Sequence, residues 1–123
     1  MSIDEKFKVE TEILKHDVLC MKLNGFLDAH TAPILENAVQ SAITENNFKI
    51  IMNFEKLDYI SSAGLGVFMS FIEEIRSNNG DIKMTGMNDK VFTVFDLLGF
   101  PMLFDISPNT DELMTKFVDY DNH

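Results

Sequence analysis

The sequence predicts an α/β fold in a single domain over residues 1–123: an N-terminal hairpin, then alternating strands and helices, giving a mixed, mostly parallel sheet with helices packed on it. Three observations lead there. The apolar period is two in the first segments and then switches to helical spacing. Short apolar runs and helical stripes alternate from that point, in the order β-β-α-β-α-β-α-β-α, and right-handed crossovers between such units lay down parallel strands. No linker, repeat or low-complexity stretch interrupts the 123 residues, and 46% of them are apolar, enough for one core.

Phe7, Val9, Thr11 and Ile13 alternate with charged neighbours, and Leu19, Met21 and Leu23 do the same after a polar turn, which predicts an antiparallel hairpin with one buried face. From Thr31, read as an N-cap, the stripe Ile34, Leu35, Ala38, Val39, Ala42 and Ile43 predicts a helix that tolerates Pro33 in its first turn and ends near Asn46-Asn47. Ile50 to Phe54 alternates poorly, as a strand covered on both faces does. A second helix starts around Ala63 and carries Leu65, Phe68, Met69, Ile72 and Ile75, with Glu73, Glu74 and Arg76 toward water and Asn79-Gly80 as its stop. Ile82, Met84 and Thr85 form the next strand. Asn88 caps a third helix with Val91, Phe92, Phe95 and Leu98, ended by Gly99 and Pro101. Leu103 to Ile106 reads as a last strand, and Asn109 with Glu112 as the capping box of a last helix carrying Leu113, Met114 and Phe117. The core spans about residues 7–118, and 119–123 read as a tail.

Composition narrows the function. Ten Lys and Arg against twenty Asp and Glu give a net charge of −10 spread along the chain, which disfavours direct nucleic-acid binding because that task needs a basic stripe. No apolar run approaches the roughly 18 residues of a membrane span, and Met1-Ser2-Ile3-Asp4-Glu5-Lys6 lacks a secretory pattern, so the chain reads as cytoplasmic, with no membrane insertion. Cys20 is the only cysteine and sits in an apolar run, as a buried thiol does. His16, His30 and His123 share no metal-ligand spacing, so neither metal nor cofactor is expected.

The informative stretch runs from Asp58 to Gly66, where a strand passes into a helix through two serines and two glycines. It is not a nucleophile elbow, because Ile60 stands where the first glycine belongs. Met69 occupies the third glycine of a dinucleotide loop, and Val67 the lysine of a phosphate-binding loop. No catalytic residue emerges, and the chain reads as no enzyme; a nucleotide-binding module would need phosphate-cradling residues that are missing. Ser61-Ser62 at a helix N-terminus can cap the helix or carry a phosphate. Gly64 and Gly66, each costing about 1 kcal/mol in a helix, suggest a closely approachable backbone. Phe68, Met69 and Phe71 fit either an adaptable binding face or a Phe-rich core.

Three blocks of residues together resemble the STAS domain family, and within it the bacterial anti-sigma factor antagonists. They are Leu23-Asn24-Gly25-Phe26-Leu27-Asp28 with Thr31, the run Tyr59-Ile60-Ser61-Ser62-Ala63-Gly64-Leu65-Gly66, and Val91-Phe92 with Phe95-Asp96-Leu97-Leu98-Gly99-Phe100. The resemblance covers nearly the whole chain. It implies partner switching: the unphosphorylated antagonist binds an anti-sigma factor that is also a serine kinase and so frees a sigma factor, phosphorylation of one serine ends the contact, and a serine phosphatase restores it. The family pattern puts the acceptor on Ser62; Ser61 stands where the family has Asp and offers a second hydroxyl as an alternative acceptor. The partner-binding surface it implies comprises Asp28, Thr31, Ser61, Ser62, Ala63, Gly64, Leu65 and Gly66, although Asp28 reads equally well as a turn or capping residue. A second reading, favoured by the missing Asp, is a non-switching STAS subunit of a transporter or sensory assembly.

Overall fold

The computed structural model describes the backbone of residues 6–121 and the side chains of residues 6–117; residues 1–5, most of the N-terminal stretch read above, and residues 122–123, with His123, lie outside it. The elements are β1 (Phe7–Ile13), β2 (Leu19–Leu27), α1 (Ala32–Thr44), β3 (Lys49–Ile60), α2 (Ser62–Ser77), β4 (Asp81–Thr85), α3 (Asp89–Leu97) and α4 (Thr110–Asp121). The sheet runs β1-β2-β3-β4, antiparallel at β1 and β2 and parallel from there on. The predicted hairpin is present, with Phe7 opposite Gly25 and Ile13 opposite Leu19. Gly25 needs to be glycine twice over: its φ is +106°, and a Cβ there would stand 2.1 Å from the Lys6 carbonyl oxygen.

One sheet face carries the main core. Met21, Leu23 and Leu27 of β2 and Ile50, Met52 and Phe54 of β3 pack there against α1, α2 and α3. Phe54, Phe68, Phe95, Phe100 and Phe104 make a chain of ring contacts with centroids 5.5–5.9 Å apart between Phe68 and Phe54, Phe54 and Phe95, Phe95 and Phe100, and Phe100 and Phe104. Phe68 is therefore core, whereas Met69 is exposed and Phe71 half-buried. The other face is covered by α4, where Leu113 and Phe117 close over Val18 and Ile51 in a small separate cluster. Lys83 stands at its margin, 2.6 Å from Asp105, 3.1 Å from Asp81 and 4.9 Å from the centre of the Phe117 ring. Cys20 is buried, and burial raises its thiol pKa.

Two elements differ from the expectation. β3 is twelve residues long rather than ending at Phe54, and its pairing with β2 slips twice, between Lys22 and Asn24 and between Gly25 and Phe26. Each slip adds a residue to β3, so its buried positions run Phe54, Leu57, Ile60 at a spacing of three. The expected strand Leu103–Ile106 is absent: the chain forms a 3₁₀ turn over Phe100–Met102, and its backbone joins β4 in a single parallel bridge of Met84 with Ile106 rather than a ladder. Gly99 at φ +76° ends α3 as predicted, and Phe100 and Phe104 spend the next residues filling the core rather than extending a sheet. At the C-terminal end the α4 backbone continues to Asp121, into the stretch read as a tail. Its start is capped by Asn109 Oδ1, which accepts from the Asp111 and Glu112 N–H groups, while the Glu112 carboxylate meets Ser107 rather than closing a capping box.

Candidate functional site

The last residues of β2 and β3 lie side by side, with Leu27 paired to Ile60, and the Ser61 N–H continues that pairing by donating to the Leu27 carbonyl at 2.9 Å. The Asp28 loop and the start of α2 are thus stitched together at one end of the sheet, where parallel strands deliver loops to a common surface.

The first loop is organised by a reciprocal exchange. Asp28 Oδ1 accepts from the His30 and Thr31 N–H groups at 2.9 and 3.1 Å, while Thr31 Oγ1 accepts from the Asp28 N–H at 2.9 Å and donates to the Phe26 carbonyl at 2.8 Å. Thr31 stands at the head of α1 but donates no side-chain cap to it; its hydroxyl is turned back into the loop and fully buried. No side chain caps α1: the Ala32 N–H is taken by the Asp28 main-chain carbonyl, while the Asp28 carboxylate holds the loop before the helix, its pKa lowered first by the Thr31 N–H, with the His30 N–H and Thr31 hydroxyl adding to it. His30 is exposed.

The second loop separates the two serines. Ser61 is the N-cap of α2, extended at φ −103° and ψ 171°, and its Oγ accepts from the Gly64 N–H at 3.4 Å. Ser62 is the first helical residue; it is exposed and its hydroxyl has no hydrogen-bond partner among the described residues. The Leu65 N–H is taken by the Ser61 carbonyl, so the amides of Ser62 and Ala63 remain at the positive end of a 16-residue helix.

The two glycines of α2 serve different ends. A Cβ on Gly64 would come within 2.7 Å of Leu27 Cγ and 3.1 Å of the Leu27 carbonyl, so Gly64 lets the helix close onto β2. A Cβ on Gly66 would meet nothing within 4 Å, and Gly66 is exposed. Ser62, Ala63 and Gly66 therefore present the outer surface, Asp28 and Ser61 lie half-buried at its edge, and Thr31, Gly64 and Leu65 sit beneath it.

The sequence reading overlooked an aromatic pair beside the loops. Phe26 and Tyr59, 46% and 48% exposed, face each other across the strands with ring centroids 6.0 Å apart. The signal was available for Phe26, since a strand period of two that buries Leu23 and Leu27 turns Phe26 the other way. Tyr59 was hidden by the slips in β3.

Among the described residues no three His, Cys, Asp or Glu side chains are grouped to hold a metal, and no helix is long and apolar enough to cross a membrane. Compared with known proteins, residues 8–113 match the family model of the STAS domain. An anti-sigma-B factor antagonist of Staphylococcus aureus is 26% identical over 91 residues, 74% of this chain and 84% of the relative. The fold superposes with a TM-score of 0.82 on an anti-sigma factor antagonist from Mycobacterium paratuberculosis at 19% identity, over 95% of this chain and 98% of that one. It also matches the Bacillus cell fate determinant SpoIIAA in its phosphorylated form, with a TM-score of 0.66 and 21% identity over 88% of this chain and 97% of that one.

Proposed function

The chain belongs to the STAS domain family, and from that premise we propose that it acts in the cytoplasm as an anti-sigma factor antagonist: a regulatory binding protein, not an enzyme, switched by phosphorylation of Ser62. Unphosphorylated, it binds an anti-sigma factor that is also a serine kinase and so releases a sigma factor. Transfer of the γ-phosphoryl group of ATP to Ser62 Oγ ends the contact, and a serine phosphatase reverses it. The observation that carries this reading is the division of labour at the head of α2, where Ser61 holds the cap and the Ser62 hydroxyl is exposed and uncommitted. A structural neighbour known in a phosphorylated form supports the same reading.

The switch is local. A phosphate adds about −1.5 to −2 charge, a modest change to a chain already at −10. At the first position of a helix it meets free amides and a favourable dipole, so the fold tolerates it. What changes is the surface formed by Ser62, Ala63 and Gly66 with Asp28 at its edge, where a partner packed closely on the Gly66 backbone has no room for a doubly charged group. Thr31, Gly64 and Leu65 take part by holding that surface in shape.

Wild-type and Ser62→Asp chains used as paired baits in the native host, with bound proteins and modified residues identified by mass spectrometry, test the proposal. The wild type should retain an ATP-binding serine kinase that Ser62→Asp does not, with phosphate mapped to Ser62. Equal recovery of that kinase by both baits, or phosphate found on Ser61 alone, would refute the assignment. Ser61 in place of the family's Asp favours one other reading, a non-switching subunit of a transporter or sensory assembly, which recovery of such an assembly by both baits would establish.

A further inference from the structure

The run from Leu97 to Phe104 contains no charged side chain, and the structure sorts it into two sets. Phe100 and Phe104 are buried in the ring chain of the core, whereas Leu97 is 79% exposed and Met102 92%, with Leu98 and Leu103 also turned outward. The exposed set is held rigidly. Gly99 and the 3₁₀ turn bearing Pro101 fix the backbone, and the Leu103 carbonyl accepts from the Arg76 guanidinium at 2.5 Å. Four apolar side chains this exposed within one short turn form a patch of the kind that often marks an interaction site.

We propose that this apolar knob is the far half of the surface that receives the anti-sigma factor, docking into an apolar pocket of that protein with a basic rim. The inference rests on the antagonist reading above. Three arguments select this occupant over a second copy of the chain. The first is continuity: Ser62, Gly66, Met69, Glu73 and Arg76 follow the spacing of one helical stripe, all exposed, and Arg76 at its end holds the knob. The stripe is about 21 Å long at 1.5 Å per residue, within the roughly 30 Å breadth of an interface burying about 800 Å² on each side. The second is area, because four side chains on one turn fall short of the roughly 800 Å² per partner that a stable interface buries, and so suit a share of a larger heterologous contact better than a dimer seam. The third is charge. Arg76 is already paired with Asp81, and the neighbours Glu73 and Asp96 are exposed, so the rim is acidic; two copies at −10 each would repel.

The test uses the full chain as wild type, as L97Q/M102Q, and as M102K. Each is titrated calorimetrically against the purified anti-sigma factor that the wild type retains, and each is sedimented alone. Both variants change only exposed side chains and should keep the wild-type melting temperature. Their Kd should rise roughly tenfold or more, the loss common when apolar anchors leave an interface, and M102K should be the weaker binder because its added charge faces a basic rim. Unchanged Kd in both variants overturns the knob assignment and leaves the antagonist reading intact. A wild type that binds no anti-sigma factor overturns both. A wild-type dimer that L97Q/M102Q dissolves assigns the knob to a second copy and overturns the proposed occupant.

Discussion

Gly64→Ala and Gly66→Ala place the same methyl group two residues apart in α2, yet the structure requires opposite effects. At Gly66 the new Cβ meets nothing within 4 Å, so only the helix propensity changes, worth about 1 kcal/mol in favour of Ala. For a chain of this length 1 kcal/mol moves Tm by about 3–5 °C, and Gly66→Ala should raise it by that much. At Gly64 the same propensity gain is opposed by a contact of 2.7 Å with Leu27 Cγ and 3.1 Å with the Leu27 carbonyl. Leu27 is fully buried and its carbonyl already accepts from the Ser61 N–H, so it cannot retreat without loosening the junction of β2 with α2. Overpacking of that kind costs about 1–3 kcal/mol, and the upper half of the range applies, leaving a net loss of about 1–2 kcal/mol and a Tm lower by about 3–10 °C. Differential scanning calorimetry of the two single variants decides the matter. Shifts of the same sign would refute the reasoning, since helix propensity alone cannot distinguish the positions. Gly66→Ala should also weaken binding of the anti-sigma factor despite its greater stability.

Four more substitutions test the rest of the site and its support. Thr31→Val keeps the shape of a fully buried side chain but strips partners from the Phe26 carbonyl and the Asp28 N–H, a loss of about 1–3 kcal/mol, readable as a lower urea midpoint with an unchanged m-value. Ser61→Ala should cost only about 0.5 kcal/mol, the low end for an N-cap given its 3.4 Å hydrogen bond, whereas Ser62→Asp should leave Tm and circular dichroism unaltered; a sharp loss in Ser62→Asp would contradict the exposed placement of that residue. The hydrogen bond from Lys83, joined by the charges of Lys83 and Lys116, holds the Asp105 carboxyl below its usual range. A depressed acid stabilises the fold above its ordinary pKa of about 3.9 and loses that contribution as pH falls through the lowered value. In acid unfolding, Asp105→Asn should therefore start less stable at neutral pH and show a shallower decline below about pH 4 than the wild type; parallel curves would refute the linkage.

What could be read from the sequence was whatever is decided locally. The cap of α3 by Asn88, its stop at Gly99, the hairpin and, with the exception of the exposed Met69, the buried stripe of α2 each follow from side chains a few residues apart, and are present. The failures share a different origin. Glu55-Lys56-Leu57-Asp58 lies beyond the apolar run read as strand because its charges break the period, yet it is strand, since β2 supplies the partner and the two slips reset which residues face inward. Leu103 to Ile106 looks like strand because it is apolar, yet the demand for Phe104 in the core decides its path. At the site, the residue types and spacing pointed to the head of α2, but which serine caps and which is exposed depends on where the backbone leaves β3, a matter of one residue that periodicity cannot resolve. The exchange between Asp28 and Thr31 was half visible: both residues were singled out and Asp28 was read as a turn residue, but the Thr31 hydroxyl bonds back into the loop instead of capping the helix.

The small cluster beneath α4 means that the molecule has two thermodynamic layers. Among the described residues, Leu113 and Phe117, with the partial help of Met114, make the apolar contacts of that helix with Val18 and Ile51, and no residue of this cluster belongs to the core under α1, α2 and α3. Detaching α4 would uncover a strip of sheet without disturbing the Phe ring chain or the Ser62 surface. Its amides thus belong to a sub-global opening of lower free energy than complete unfolding. Hydrogen exchange would register them as a separate tier, and the recognition surface on the other side of the sheet would persist while that tier turns over.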